Sequence, residues 1–272
     1  MGNMDMEFKK GNISEVRRDG SVVHRDFKPQ SKTIHRLLHH LEDKGIAFVP
    51  RFLGMSEDNR EMLSFVDGET MEDYPAASDI QARMKTVQAA AKMLREYHDA
   101  TLDFIRHPQD IWFLKYEGDL DKEVICHNDF APYNVTFKEN IPVGLIDFDT
   151  ACPAPRIWDV AYAVYRFVPL GSEVYGPEEK RYRRYDKALD CAERKLLLKA
   201  FLDAYSDTGV NENLDVSNVL DNVIMRLQAL VRLFDEECRK GNPAFVRMKE
   251  EGHQLLYMKE IEFIKDNMQD WK

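Results

Sequence analysis

The sequence predicts an α+β fold in two lobes, a small β-rich N-terminal lobe and a larger, mainly helical C-terminal lobe. Three observations carry this. Residues 8–70 are short and strand-like with one helical interruption. Past Gly68 the hydrophobic period lengthens to that of helices, and three long helical patterns at 187–206, 215–239 and 243–268 finish the chain. At 272 residues, 44% hydrophobic and 32% charged, the chain is large enough to bury cores of this kind.

In the first part, Gly11-Asn12 marks a turn, Ile13–Arg17 a strand, and Asp19-Gly20 a two-residue hairpin turn returning through Ser21–Arg25. Ile34, Leu37, Leu38 and Leu41 recur at helical spacing over 32–44, and Gly45 stops that helix. Pro50–Leu53 and Glu61–Val66 read as further strands. The N-terminal lobe is therefore placed at 1–67, with a connector at 64–68 and the helical lobe at 68–272. There, Ser78 and Gln81 fit a capping box opening a helix through Met84, Val87, Ala91, Leu94 and Tyr97. Val124–Cys126, Asn134–Phe137 and Val143–Phe148 are strand-like.

The bulk numbers exclude several classes. No run approaches the ~20 apolar residues of a membrane span, and Met1–Lys10 lacks the apolar core of a secretory signal. The chain reads as cytoplasmic, with no membrane partner. A formal charge of −10 argues against nucleic-acid binding, which needs cations to neutralise phosphates. Cys126, Cys152, Cys191 and Cys238 have no zinc-like spacing and read as reduced thiols.

One stretch concentrates chemistry. His127-Asn128-Asp129-Phe130-Ala131-Pro132-Tyr133-Asn134 places an Asp two residues after a His and an Asn five residues after that Asp. Ile146-Asp147-Phe148-Asp149 follows at the end of an apolar strand. Phosphoryl transfer needs a carboxylate beside the attacking hydroxyl and oxygen ligands for magnesium on the phosphates. A loop with Asp129 and Asn134, facing a strand end with Asp147, offers both. Each residue alone has a plainer explanation, since Asp and Asn commonly cap turns and His127 alone is most simply a hydrogen-bonded scaffold. The combination is far rarer by chance.

The segment Val124–Leu170 resembles the catalytic core of the aminoglycoside-phosphotransferase family, down to Asp159 twelve residues after Asp147. That resemblance implies a bilobal protein-kinase-like fold with catalytic loop 127–134 and metal-binding strand end 146–149. It implies an ATP- and magnesium-dependent kinase, with GTP a possible replacement for ATP, that phosphorylates a hydroxyl of a small molecule such as an aminoglycoside-like antibiotic, a sugar or a metabolite. Asp129 matches the catalytic base, Asn134 and Asp147 the Mg2+ ligands, and His127 the brace of the catalytic loop. Asp149 is read as support or a second metal contact, and Asp159 as support for the loop through backbone hydrogen bonds.

The nucleotide lobe departs from the kinase pattern. Arg25 shares a strand face with Val23 and stands where a kinase carries Lys, so it is the candidate phosphate contact. Helix 32–44 offers Ile34 and His35 where a Glu partner would sit, so no cation–Glu pair is expected. The connector residues Ser64, Phe65 and Val66 are expected to meet the nucleotide base. Three readings stay open: an active kinase, a pseudokinase-like binding or immunity protein without phosphotransfer, and a metal-dependent hydrolase using His127, Asp129, Asp147 and Asp149. Lys180–Arg184 and Asp235–Glu237 read as solvated helical or loop faces, and Trp158 and Tyr162 as core aromatics. Substrate identity and oligomeric state have no readable signal.

Overall fold

A computed structural model describes residues 7–10, 15–71, 79–176, 181–206 and 214–272. The Gly11-Asn12 turn, Ile13, Ser78 and Lys180 lie outside the described residues.

Five strands form the first sheet: β1 (Glu7–Lys10), β2 (Glu15–Asp19), β3 (Val22–Asp26), β4 (Phe52–Met55) and β5 (Arg60–Ser64). Their spatial order is β1-β2-β3-β5-β4. The β2–β3 hairpin closes at Asp19–Val22 over Gly20, whose φ of +59° needs the left-handed region glycine occupies freely. Helix α1 (Ser31–Asp43) packs onto this sheet through Ile34, Leu37, Leu38 and Leu41, all buried. Burying each such side chain contributes about 1.5–3 kcal/mol relative to leaving it in water.

Beyond Gly68 the chain joins the second lobe. Strand β6 (Glu69–Thr70) pairs with β8 (Val135–Lys138), and β8 pairs with β9 (Ile141–Leu145). Helix α2 (Ile80–Thr101) is capped by Asp79, whose carboxylate accepts from the Gln81 amide at 3.0 Å, so the cap stands one residue later than Ser78. Strand β7 (Val124–Cys126) pairs with β10 (Cys152–Ala154), bringing the two ends of the chemistry-bearing segment together. Helix α3 (Arg156–Phe167) follows, then the hairpin β11 (Glu173–Gly176) and β12 (Arg181–Arg184). Helices α4 (Lys187–Ser206), α5 (Val216–Arg239), α6 (Pro243–Glu250) and α7 (His253–Trp271) complete the lobe.

The expected single helix over 243–268 is two. Gly252 adopts φ +90° between α6 and α7, a conformation that ends a helix and that a side chain would resist. The basic island is also less solvated than its composition suggests: Arg183 makes a two-pronged pair with Asp190, at 2.8 and 2.6 Å. Asp235 and Glu237 are tied to Lys249 and Gln254, and to Lys240 and Asn242, respectively. One core runs through both lobes, from Leu37 and Leu63 through Leu94 and Phe148 to Phe201 and Ile264. Among the described residues no helix is long and apolar enough to cross a membrane.

Candidate active site

The loop between β7 and β8 carries Asp129 and Asn134, and its shape is imposed from behind. Asp159, fully buried on α3, accepts the backbone amides of His127 (2.6 Å) and Asn128 (2.9 Å). It also faces His98 Nε2 at 3.1 Å, which fixes that nitrogen as the donor, while His98 Nδ1 meets the Tyr205 hydroxyl at 2.6 Å. Burial alone would raise the Asp159 carboxyl; the His98 hydrogen bond, the nearby histidines and the His127 amide overcome it and hold the group below the usual carboxylate range. His98, Cys126 and Asp159 approach one another closely enough to suggest a metal cluster. Burial keeps the Cys126 thiol protonated, however, and the donors already satisfy Asp159, so the trio is a hydrogen-bonded brace.

The rest of the loop is held as firmly. His127 Nε2 donates to the Ile146 carbonyl at 3.0 Å, tying the loop to the strand end that carries Asp147. Asn128 takes a left-handed conformation at φ +64°, and its side chain donates to the Thr150 carbonyl at 3.0 Å. Arg226 from α5 donates to the Asn128 carbonyl at 2.7 Å. Asn is among the few residues that tolerate such a φ, which accounts for its place in the middle of His127-Asn128-Asp129.

With the backbone fixed, Asp129 presents a partly exposed carboxylate. One oxygen accepts from the Tyr133 hydroxyl at 2.5 Å and the other from Asn134 Nδ2 at 2.8 Å. The Asn134 amide nitrogen is thereby spent on Asp129, and its oxygen makes no hydrogen bond among the described residues. Asp147 sits at φ +62°, in the left-handed region that Asp, like Asn, enters more readily than other side chains. Its side chain is 52% exposed and makes one loose ion pair, 3.6 Å from Arg25 Nη1. The Ile146 amide donates to the Asn134 carbonyl at 2.8 Å, so the open Asp147 carboxylate and the free Asn134 amide oxygen stand on adjoining segments, and both are hard-oxygen donors of the kind a divalent cation takes.

Asp149 is different. It accepts from Nη2 of Arg25 and, at 2.5 Å, from Nζ of Lys28, so its oxygens are committed to the N-terminal lobe. It fits a lobe-to-lobe clamp and not a metal ligand. Lys28 lay outside the sequence reading; a cation three residues beyond Arg25, just past the strand end, was the available signal.

The expectation that Arg25 lacks a Glu partner is overturned. Arg25 Nε donates to Glu61 Oε2 at 2.8 Å, and His35 Nε2 meets Glu61 Oε1 at 2.7 Å. Glu61 comes from β5, directly opposite Arg25 in the β3–β5 register, and the helix contributes His35 instead of the acid. Glu61 is 1% exposed. Burial would raise its pKa, but the hydrogen bonds from His35 and Ser31 and the charge of Arg25 bring it down to about 2. A carboxyl depressed in the folded state stabilises above its unfolded pKa and loses that contribution as pH falls through the folded value. The stability difference between the wild type and Glu61→Gln is therefore largest at neutral pH. It shrinks between pH 4.5 and about 2 to a pH-independent remainder. Urea unfolding of both proteins across that window checks this; a difference that does not change with pH would show that Glu61 is not ionised against Arg25.

The connector is also partly committed. The Ser64 amide donates to the Arg51 carbonyl and the Phe65 amide to the Ser21 carbonyl, both at 2.8 Å, while Arg18 lies 3.5 Å over the Phe65 ring. Of the three expected base contacts, Val66 alone keeps its backbone amide and carbonyl unpaired among the described residues. Ser64, Phe65 and Val66 line a cavity of about 450 Å³ with Val49, Arg51 and Lys138. Arg25, Glu61 and Asp147 face a separate gap of about 10 Å³, so the two sets do not share one cavity.

Residues 109–194 match the model of the phosphotransferase enzyme family. A relative named Trifolitoxin immunity protein, from Rhizobium leguminosarum bv. trifolii, is 35% identical over 171 residues, which cover 61% of this chain and 61% of the relative. The chain thus matches less than two thirds of that relative's length. Among solved structures, macrolide 2'-phosphotransferase MphH from Brachybacterium faecium superposes with a TM-score of 0.55 at 11% identity, covering 91% of both chains. Choline kinase from Cryptosporidium parvum Iowa II gives 0.55 at 13% identity, covering 98% of this chain and 92% of that one. A gentamicin complex of APH(2")-IIa gives 0.54 at 14%, covering 98% and 93%. At these identities the likeness establishes the fold.

Proposed function

We propose that the protein is an ATP- and Mg2+-dependent small-molecule kinase that moves the γ-phosphoryl group to an alcohol hydroxyl. The observation that carries this is the Asp129 carboxylate, held by Tyr133 and Asn134 on a loop that faces Asp147. In the reaction the acceptor oxygen forms a bond to the γ-phosphorus while the bond from that phosphorus to the β,γ-bridging oxygen breaks. Asp129 orients the hydroxyl and receives its proton, which passes to solvent, and ADP leaves. Asn134 and Asp147 would hold Mg2+, whose chemistry is to neutralise charge on the phosphate oxygens. Arg25, steadied by Glu61, would contact a phosphate. Val66 is the connector position with backbone groups free for a base. Asp159, His127 and Asp149 hold these groups in place.

A coupled nucleotide-consumption screen across hydroxylated small molecules tests the reading. Acceptor-dependent ADP release supports it. Nucleotide binding with no turnover of any acceptor supports the second reading, a nucleotide-binding or pseudokinase-like binding or immunity protein without phosphotransfer. The relative's name and the engagement of Arg25 by Glu61 and Asp149 favour that alternative.

A further inference from the structure

Next to Asp129 lies a group that the proposed reaction does not use. Arg166, on α3, stands one turn after Tyr162, on the same helix face. Its guanidinium lies 5.1 Å from the centroid of the Tyr133 ring and 5.9 Å from that of Tyr165. Tyr257, from α7, completes a group of four phenols around it. Tyr133 is the bridge to the chemistry: its hydroxyl meets both Asp129 and, at 2.9 Å, the Tyr162 hydroxyl.

What is missing is a counter-charge. Arg166 makes no ion pair with any described carboxylate, and its Nε is buried without a hydrogen-bond partner. The carboxylates flanking the phenols are committed elsewhere, Asp129 to Tyr133 and Asn134, and Glu260 to the amide and hydroxyl of Ser172. Ring faces compensate a guanidinium by about 0.5–2 kcal/mol, and the half-buried Arg166 side chain keeps part of its contact with water. A half-buried cation with an unpartnered buried Nε and no acid beside it points to an anionic occupant that is not part of the chain.

We propose that Arg166 and its tyrosines form the acceptor subsite, and that the acceptor is a hydroxylated molecule carrying an anionic group, a carboxylate or a phosphate. This rests on the phosphotransferase reading for the role of the hydroxyl. The planar fork of Arg suits two-oxygen recognition of either anion. The Tyr133 ring sets the spacing, with Asp129 at its hydroxyl end and Arg166 over its face, so the anion is held about one phenol ring away from the reacting oxygen. The same arrangement disfavours polycationic acceptors, which would bring like charge against Arg166. The phenols add donors for neighbouring hydroxyls.

The test is thermal unfolding with matched ligands: D-glycerate, D-gluconate and glycerol 3-phosphate against glycerol and glucose, and against choline. Each is titrated with and without MgATP into the wild type, Arg166→Lys and Arg166→Gln. At least one acid is expected to stabilise the wild type at tenfold or more lower concentration than its neutral counterpart. Arg166→Gln is expected to lose that advantage and Arg166→Lys to keep part of it. The carboxylate and phosphate arms tell which anion is preferred. Equal stabilisation by acids, neutral polyols and choline, no stabilisation by any, or acid binding that survives Arg166→Gln would overturn the proposal. The acid-against-neutral comparison in the wild type decides the matter even if a variant does not fold. MgATP stabilisation without acid preference removes this inference and leaves the kinase reading standing; acid preference without any MgATP effect does the reverse.

Discussion

Replacing Asp129 by Ala is expected to lower acceptor-dependent nucleotide consumption by about 100- to 10,000-fold, the range typical of removing a positioned general base. Asp129 is partly exposed, so the variant keeps its fold. Its carboxylate receives Tyr133 and Asn134, and losing those two bonds costs about 1 kcal/mol each. The loop backbone does not depend on it, because Asp159, Arg226 and Ile146 hold the neighbouring residues. Steady-state turnover, with far-ultraviolet circular dichroism to verify folding, makes the measurement. Full activity in a folded Asp129→Ala protein would remove the residue from the mechanism.

Asp159→Ala has its effect on stability instead. The carboxylate answers two backbone amides and His98 Nε2 in a site with no exposure, so its removal strands three buried donors. A loss of about 3–5 kcal/mol is expected, as for other broken buried charge networks. Because the Asp159 carboxyl is held below its usual range, its contribution is present at neutral pH and disappears on acidification below about pH 4. The urea midpoint of the variant should therefore fall well below that of the wild type at pH 7, with the gap narrowing in acid. A loss under about 1 kcal/mol would mean that Thr150 and Arg226, which bond the His127 and Asn128 carbonyls, are sufficient to hold the loop.

These two residues also mark how far the sequence is legible. Asp129 and Asn134 stand within one contiguous motif, and Asp147 and Asp159 follow at short intervals, so local order reveals them. Glu61 lies 36 residues from Arg25, and only the pairing register of β3 with β5 makes them neighbours. A search confined to helix α1 finds His35 at the expected place and misses that it reaches the same carboxylate. The signal was the alternation in Arg60-Glu61-Met62-Leu63, which sets Glu61 on the face of buried Leu63. Arg166 was hidden for another reason. It interrupts an apolar helix, and its significance lies in the lack of an acid around it, which no linear spacing records. The split between α6 and α7 was visible at Gly252, but the apolar period runs through it and masks the break.

In the proposed function, Asn134 and Asp147 form a divalent-cation site serving a bound nucleotide opposite Asp129. It is tested most directly by calorimetric titration of ATP into the wild type and Asp147→Asn, each with and without Mg2+. Magnesium is expected to tighten ATP binding to the wild type by tenfold or more, and Asp147→Asn to lose most of that dependence while still unfolding cooperatively. ATP binding of equal strength with and without Mg2+, or no ATP binding to the folded wild type, would contradict it.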